Sequence, residues 1–540
     1  MPTPIRIGVA GGGPGGLFFA ALIRHAVPSA EVTVFERNRP DDAFGFGVVF
    51  SDRTVAAIHD ADPVLREALK AHGRHWQDIE VRLKGERIRC GGNGMAAIAR
   101  RTLLALLQEQ AHDRGARLRF RTEVTLADLD DYDLVVAADG SGSRIRTELA
   151  ERLGPSAETA TAKFIWFGTD YMFDGLTFVH ERGPHGVFAV HAYPISADVS
   201  TFIVETDESS WRAAGLDAFD VAQAPGPSDM ISKEYLEALF AEQIGGNRLL
   251  INNSRWGNFR TRRTRHWYVT DPRPVVLLGD AAHTAHFSVG SGTKMAMEDA
   301  IALATALAEH GDDIPAALAA YEAAARPPVE AVQAAARPSL GWWEHFGRYY
   351  DAFEPWQFAY HFLSRSITDE RLARRAPDFV RASHERWRAE HGADPLDTPL
   401  DLAGWSLPNR VLVVEADGAD AAVAHPSGSG GWLPLRPAPV SGRSRWGAWV
   451  TAPDDESGLA DARDALAGLA AAGPALVAVH GGAAHTRGLL AEQARLRHGL
   501  PALLVDAAMD RDRAVTAVLS GRTDLVGAPA ATVASWGVPS

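Results

Sequence analysis

The sequence predicts an α/β protein: a doubly wound, dinucleotide-type parallel sheet split by an inserted, mostly antiparallel β-sheet, followed by a small C-terminal α/β domain. Three observations predict it. Residues 5–36 read as strand, glycine turn, apolar helix and strand. The apolar parallel-strand signature returns at Asp133–Ala138 and again at Pro274–Leu278. Between these returns, residues 163–206 change to alternating, aromatic-rich segments.

In order along the chain, Ile5–Ala10 is the first strand, Leu17–His25 the helix and Glu31–Phe35 the second strand. A helix is expected over about Arg100–Asp113, and alternating strands at Val187–Tyr193 and Ser200–Val204. A further helix is expected from about Gly292 to His310. A Trp- and Tyr-rich helical region then runs to about 390, and the segment Gly392–Pro399 reads as a linker. The expected domains are 1–160 with 255–330 (dinucleotide binding), 161–254 (substrate sheet), 331–395 (helical) and 400–540. The last is interrupted by the low-complexity run Pro426–Gly431.

At 540 residues the chain exceeds one ordinary core, and 46% hydrophobic with 23% charged residues is the composition of a globular protein. A net charge of −14 argues against a nucleic-acid partner, and no segment reads as a membrane span or targeting signal. The single cysteine, Cys90, leaves no internal disulfide and no cysteine metal cluster, which suits a cytoplasmic setting. The histidines show no metal-ligand spacing, so no metal is expected.

Gly11, Gly13 and Gly16 form a G-x-G-x-x-G turn, with Pro14 and Gly15 inside it, between a strand and a helix. Gly11 suits a tight turn, Gly13 lets a pyrophosphate approach the backbone, and Gly16 allows close helix–strand packing. Glu36 ends the second strand, where a carboxylate can accept ribose hydroxyls, and Arg37 beside it is a candidate for the adenine side. Asp280, in Gly279-Asp280-Ala281-Ala282-His283, sits where a strand runs toward a helix start.

With Asp139-Gly140, Ser143 and Arg146 as D-G-x-x-S-x-x-R, and Gly279–His283 as G-D-A-A-H, the chain resembles the aromatic hydroxylase branch of the FAD-dependent flavoprotein monooxygenases. The resemblance implies a Rossmann-type FAD-binding domain, NAD(P)H and O2 as co-substrates, and ring hydroxylation through a flavin C4a-hydroperoxide. It assigns FAD contacts to Asp139, Gly140, Gly279 and Asp280, and a pyrophosphate contact to Arg100. Family members commonly carry prolines after the GD element; here His286–Thr293 reads HFSVGSGT, so Gly290, Gly292 and Thr293 are the ring-side candidates.

A narrower likeness rests on Gly45–Asp52 (including Gly47 and Val48), His191-Ala192-Tyr193, Ser200–Glu205, His286–Ser288 and Gln357–Ser366. These look like salicyloyl-CoA 5-hydroxylases and the monooxygenase half of 2-aminobenzoyl-CoA monooxygenase/reductase. Leu400–Val411 and Gly521–Val526 resemble the opening and closing strands of that enzyme's old-yellow-enzyme barrel. An eight-stranded barrel needs roughly 200–250 residues, so the tail is expected to be a degenerate TIM-barrel-like remnant, lacking most strands and holding no FMN.

An acceptor for a phenolic proton is sought near the ring. His191 and Tyr193 share one strand face and His286 lies in the ring-side segment, making these three the catalytic candidates. Arg260, Arg262, Arg263 and Arg265 form the densest basic run, suited to CoA phosphates. Arg371, Arg374 and Arg375 form a second. The leading reading is hydroxylation of an aromatic acyl-CoA such as salicyloyl-CoA; a homodimer is compatible with it. The other readings are a hydroxylase or epoxidase of a free indole, tropone-like or polycyclic ring in secondary metabolism, and a flavin-holding binding protein without turnover.

Overall fold

In the computed structural model the described residues are 4–219, 226–290, 292–402, 404–417, 420–428, 431–440 and 445–537. The low-complexity run therefore lies partly outside them. The chain divides into two compact units, residues 1–87 with 92–347, and 348–540 with 88–91.

The first unit carries the expected parallel sheet. Its strand order is Tyr268–Val269, Val275–Leu277, Leu134–Ala137, Arg6–Ala10, Glu31–Glu36 and Arg117–Phe120, all parallel except the first pair. Ile7, Val9, Leu134–Ala137 and Val275–Leu277 are at most 3% exposed, the burial of a sheet covered on both faces. Helices Pro14–Ala26 and Gly292–His310 cover it closely: a Cβ on Gly15 would stand 2.5 Å from Leu278 Cδ2 and 3.2 Å from Ala296 Cβ.

The inserted sheet runs Leu249–Leu250, Pro155–Thr169, Ser200–Thr206, Gly186–Pro194, Leu176–Gly183 and Ile79–Leu83, with Gly257–Thr264 also on Pro155–Thr169. Only the Leu176–Gly183 to Ile79–Leu83 pair is parallel. It exceeds the expected 161–254 at both ends, because a strand from residue 79 and one from 257 complete it by long-range pairing that local patterning does not carry. The expected break at 330/331 also falls inside one helix, Ile314–Trp343, which tolerates Pro327, Pro328 and Pro338.

In the antiparallel register Phe178 faces His191, which faces Ile203, which faces Trp166. Strand alternation therefore puts Phe164, Trp166, Phe178, His180, His191, Tyr193, Ile203 and Glu205 on one face. The other face, with Ile165, Phe167, Val179, Val190, Phe202 and Val204, packs into a separate core under Leu236 and Phe240.

The second unit closes a seven-stranded barrel of Val411–Asp417, Asp420–Ala424, Leu433–Arg436, Gly447–Thr451, Val477–His480, Ala502–Val505 and Leu525–Ala528. The expectation that most strands are missing is thus wrong. The strands are short, and the first three are antiparallel neighbours needing no crossover helix, so far less chain suffices. From Leu433 on the strands are parallel, with helices Leu459–Ala471, Ala484–His498 and Arg511–Leu519 between the later ones. Leu400–Val411 is not the opening strand: Leu400–Leu402 and Trp405–Leu407 form a separate hairpin. Leu525–Ala528 does close the barrel, as the Gly521–Val526 segment predicts. Among the described residues no helix is long and apolar enough to cross a membrane, and no His/Cys/Asp/Glu group has a metal-holding arrangement.

Candidate active site

The glycine turn is strained in the way a phosphate cradle requires. Gly11 has φ +113°, and a Cβ there would stand 2.2 Å from the Ala138 carbonyl oxygen; one on Gly16 would stand 2.2 Å from that of Gly11. Nothing lies within 4 Å of a Cβ on Gly13, which faces open space beside the N-terminus of Pro14–Ala26. Glu36 Oε2 accepts from Gly12 N (2.8 Å), while Oε1 accepts from Asn38 N and Nδ2 (2.9 and 2.6 Å). The carboxylate is thus oriented from two sides. Arg37 is exposed.

The DG and GD loops are stitched together by Arg146. Its Nη2 donates to Ser141 O and its Nη1 to Ala281 O, both at 2.8 Å. Burial and, behind it, repulsion from Arg262 bring its pKa down to about 10. Ser143 Oγ caps the turn carrying it, and Asp139 Oδ2 accepts from Arg144 N (2.8 Å) while Oδ1 is buried with no hydrogen-bond partner. Gly279, at φ +62°, donates its N–H to Asp299 Oδ2 (2.9 Å), which also contacts His283 Nε2 (2.8 Å). His283 is structural, as its place in the motif implies.

Asp280 has solvent-accessible surface, yet protein surrounds it; its surface faces an interior cleft rather than the outside. Burial raises its pKa against the pull of His283, Arg100 and Arg262. Arg100 donates its backbone N–H to Phe46 O (2.9 Å), and its guanidinium lies 5.9 Å from the Trp166 ring, with Nε buried and unpartnered. Burial lowers its pKa, opposed by Tyr193 and Asp280. Gly47 has no room for a side chain, since a Cβ would meet Ile195 Cγ2 at 2.2 Å; Val48 is buried. Gly290, at φ +61°, ends a short turn, and open space surrounds Gly292 at the head of the 19-residue helix containing Thr293.

One cleft of about 860 Å³ joins these parts. Gly13–Gly16, Gly47, Val48, Arg100, Gly140, Gly279, Asp280, Gly290, Gly292 and Thr293 line one end of it. The size is in the upper range of small-molecule sites, about 300–1,000 Å³. Backbone N–H groups, an open glycine surface and the unpartnered Arg100 Nε fit the pyrophosphate and ribityl chain of FAD.

The other end is an aromatic chamber. Phe164, Trp166, Leu176, Phe178, His191, Tyr193 and Ile203 come from the sheet face, and Phe287 from the turn after the GD element. The Tyr193 hydroxyl lies 3.5 Å from Gly47 O, and burial pushes its pKa up to about 12 against its hydrogen bond with Thr201 and the charge of Arg100. His191 Nε2 lies 2.6 Å from Glu205 Oε1, with the ring 4.1 Å from Trp343 and 5.1 Å from Phe178. His180 stacks over Trp343 (5.9 Å, 7°); burial, then His191, lowers its pKa to about 3, so it is neutral.

His286 differs from expectation. Its imidazole is 2% exposed and not part of the cleft lining; Phe287, 4.3 Å away, takes that place. His286 Nδ1 contacts Ser288 Oγ (2.7 Å) and accepts from Ser288 N (3.3 Å), and Nε2 is 3.8 Å from Glu205 Oε2. The peptide turn Phe287–Val289 caps back onto the histidine, drawing it away from the chamber.

The basic run is also divided. Arg263 pairs with Glu158 (2.9 Å), Arg265 lies beyond the strand, and Arg260 and Arg262 share a strand face. None of the four lines the cleft. Arg371, Arg374 and Arg375 are exposed in the second unit. The cleft's polar residues instead include Asn252, Asn253 and Arg255, which the sequence reading missed. Arg255 Nη2 donates to Asn253 Oδ1 (3.0 Å), and Asn252 Nδ2 donates to Ala43 O and Gly45 O (both 2.8 Å), holding the loop that exposes Phe44. Only their polarity in a loop-like run was readable. Glu205 was visible at the end of Ser200–Glu205, but its partners depend on strand register.

Residues 5–336 match the FAD binding domain family. A salicyloyl-CoA 5-hydroxylase of a Streptomyces species is 58% identical over 97% of this chain and 99% of its own. A 3-hydroxy-4-methyl-anthranilyl-[aryl-carrier protein] 5-monooxygenase of Streptosporangium sibiricum is 38% identical over 63% of this chain and 89% of its own. Among solved structures, a tetrameric 2-methyl-3-hydroxypyridine-5-carboxylic acid oxygenase superposes with a TM-score of 0.51 at 20% identity, covering 67% of this chain and 98% of that one. That likeness concerns the fold.

Proposed function

We propose, from the premise that this chain belongs to the FAD binding domain family and is an FAD-dependent aromatic monooxygenase using NAD(P)H, that it hydroxylates an aromatic acyl-CoA of the salicyloyl type at the 5-position. Its membership sets aside the binding-protein reading. The observation that carries the proposal is the continuity of a dinucleotide cradle with an aromatic chamber holding one buried histidine in its wall. By their names one of these relatives is a 5-hydroxylase of salicyloyl-CoA and the other a 5-monooxygenase of an anthranilyl-[aryl-carrier protein]. On a 2-hydroxybenzoyl or 2-aminobenzoyl ring, position 5 is para to the donor substituent, where the ring is richest in electrons.

When bound, FAD supplies reduction by NAD(P)H and activation of O2. In this reading Gly11, Gly13, Pro14, Gly15 and Gly16 receive the pyrophosphate with Arg100. Glu36 takes the ribose, and Asp139, Gly140, Gly279 and Asp280 hold the ribityl side. Gly47, Val48, Gly290, Gly292 and Thr293 flank the ring. Phe164, Trp166, Phe178 and Phe287 exclude water and stack on the substrate. His191, in the chamber wall with its Nε2 2.6 Å from Glu205 Oε1, is the group assigned to accept the phenolic proton. Tyr193, kept protonated by burial, is a neutral wall. Arg260 and Arg262 remain candidates for the CoA phosphates, whereas Arg263 already has a carboxylate partner.

The test is NADPH and NADH oxidation by the FAD-loaded protein with and without salicyloyl-CoA, followed by product mass. Stimulated oxidation with a product heavier by one oxygen supports the proposal. Stimulation by free aromatic compounds alone replaces it with the free-ring reading.

A further inference from the structure

The lining of the aromatic chamber changes character beside Trp166. Two loops abut that residue: a Cβ on Gly45 would stand 3.7 Å from Trp166 Cε2, and Ser254 Oγ donates to Trp166 O (2.6 Å). From these loops Phe44, Gly45, Asn252 and Asn253 enter the cleft lining, and Phe44 is 45% exposed. Ile251, beside Asn252 but outside the lining, is 45% exposed too, so this part of the cleft opens at the surface. The mouth therefore carries apolar surface together with two side-chain amides.

The protein orients both amides and leaves one atom of each unused. Asn252 Nδ2 donates to Ala43 O and Gly45 O, both at 2.8 Å, which fixes that amide and engages both of its N–H groups. Asn253 Oδ1 accepts from Gly226 N (2.9 Å) and Arg255 Nη2 (3.0 Å), which fixes the second amide in the opposite sense. The backbone of Asn253 sits at φ +52°, a conformation that asparagine tolerates better than most residues. Among the described residues Asn252 Oδ1 and Asn253 Nδ2 have no hydrogen-bond partner. The mouth thus offers an acceptor and a donor from residues adjacent in the chain, neither of them charged. A carboxylate would be matched by a cation, whereas a chain of secondary amides is matched by this pair.

We infer that Asn252 and Asn253 bind the pantetheine arm of an acyl thioester where it leaves the chamber, Asn252 Oδ1 accepting from an amide N–H of the arm and Asn253 Nδ2 donating to an amide carbonyl. Phe44 lies against the arm's methylene and methyl groups. The inference rests on the reading of the substrate as an aromatic acyl-CoA, and it names the part of the site that tells such a thioester from a free ring. Asn252 has a second task, since its Nδ2 contacts hold the loop that carries Phe44. Asn253 is the cleaner probe, because its protein contacts all use the oxygen and its nitrogen faces none of them.

The experiment measures Kd on the FAD-loaded protein without NAD(P)H, from the change in flavin absorbance on titration. Two uncharged esters are compared: S-salicyloyl-pantetheine, which carries the amides, and the S-ethyl thioester of salicylic acid, which does not. Asn253→Asp keeps an acceptor for Gly226 N and Arg255 Nη2 and the same backbone tolerance, but puts an acceptor where the unused donor stood. Its Kd for the pantetheine ester is expected to rise about fivefold, the worth of one neutral hydrogen bond. Its Kd for the ethyl ester should stay as it is, a split that a merely structural role would not produce. Equal shifts for the two esters, or no shift for either, overturn the inference. So does an unchanged Kd for both esters with a raised KM for NAD(P)H, which would assign the mouth to the nicotinamide nucleotide. Should Asn253→Asp fail to hold FAD, Asn253→Gly, which also suits φ +52°, is judged by the same comparison. Wild-type protein that binds salicyloyl-CoA yet holds the pantetheine ester no better than the ethyl ester refutes the inference alone. If it binds neither salicyloyl-CoA nor the pantetheine ester, the substrate reading itself fails and takes this inference with it.

Discussion

The two ends of the cleft are made of different material. The cofactor end is built largely from backbone: glycines at Gly11, Gly13, Gly16 and Gly279, helix starts at Pro14 and Gly292, and a single buried cation tying the loops. The chamber end is built from side chains on one face of a sheet. Backbone donors recognise a pyrophosphate by shape and are intolerant of any added atom. Side chains recognise an individual ring and its proton, so they vary while the fold persists. Damage to the first end should abolish the holoenzyme whatever the substrate; damage to the second should leave FAD in place and alter only the chemistry.

The largest expected effect follows from Gly16→Ala. The new Cβ would overlap the Gly11 carbonyl, and the clash of backbone with backbone cannot be relieved by a rotamer. The purified protein should lose most of its flavin absorbance, with stability reduced by about 1–3 kcal/mol. Retention of full FAD content would break the contrast.

Phe287→Ala tests the opposite end. Its ring walls the chamber between Phe164 (5.0 Å) and His191 (5.5 Å), so its loss admits water. FAD should remain bound while NAD(P)H consumption outruns hydroxylated product; tight coupling in this variant would remove the water-excluding role.

Tyr193→Phe is expected to be milder. The hydroxyl's contacts are a long one with Gly47 O and one with the Thr201 side chain, so turnover should change by a few-fold at most, consistent with a net hydrogen-bond contribution of roughly 1 kcal/mol. Its pH signature is sharper. The folded pKa, about 12, exceeds the ordinary 10.0, so the neutral phenol's contribution to stability is complete below pH 10 and is lost as pH rises through 12. Tyr193→Phe should lessen the loss of stability between those values, measured by denaturant unfolding across the alkaline range.

The smallest effect belongs to Arg262→Ala. If this side chain meets a CoA phosphate, KM for the ester should rise by about twofold, as for a partly exposed ion pair, and depend less on salt, with kcat preserved. An unchanged KM would leave phosphate recognition to Arg255 and its neighbours in the cleft.

The difference between the two ends also explains what was readable beforehand. Gly11–Gly16, Asp139–Arg146 and Gly279–His283 are local: steric demands on a turn are met by residues adjacent in the chain, so the parallel sheet and its cofactor follow from motif and spacing. His191 and Tyr193 were identifiable as sharing one face because strand alternation is also local. Glu205 as the partner of His191, the withdrawal of His286 behind Phe287, the separation of Arg263 from Arg262, and the arrival of Trp343 from a helix more than a hundred residues away were not. Nor was barrel closure, which depends on Val411–Asp417 finding Leu525–Ala528. The sequence by itself determined the dinucleotide fold and the chemistry class, because these rest on backbone sterics within short segments. Only the tertiary structure decided which charged groups stand together, because that depends on register and packing between strands and helices far apart in the chain.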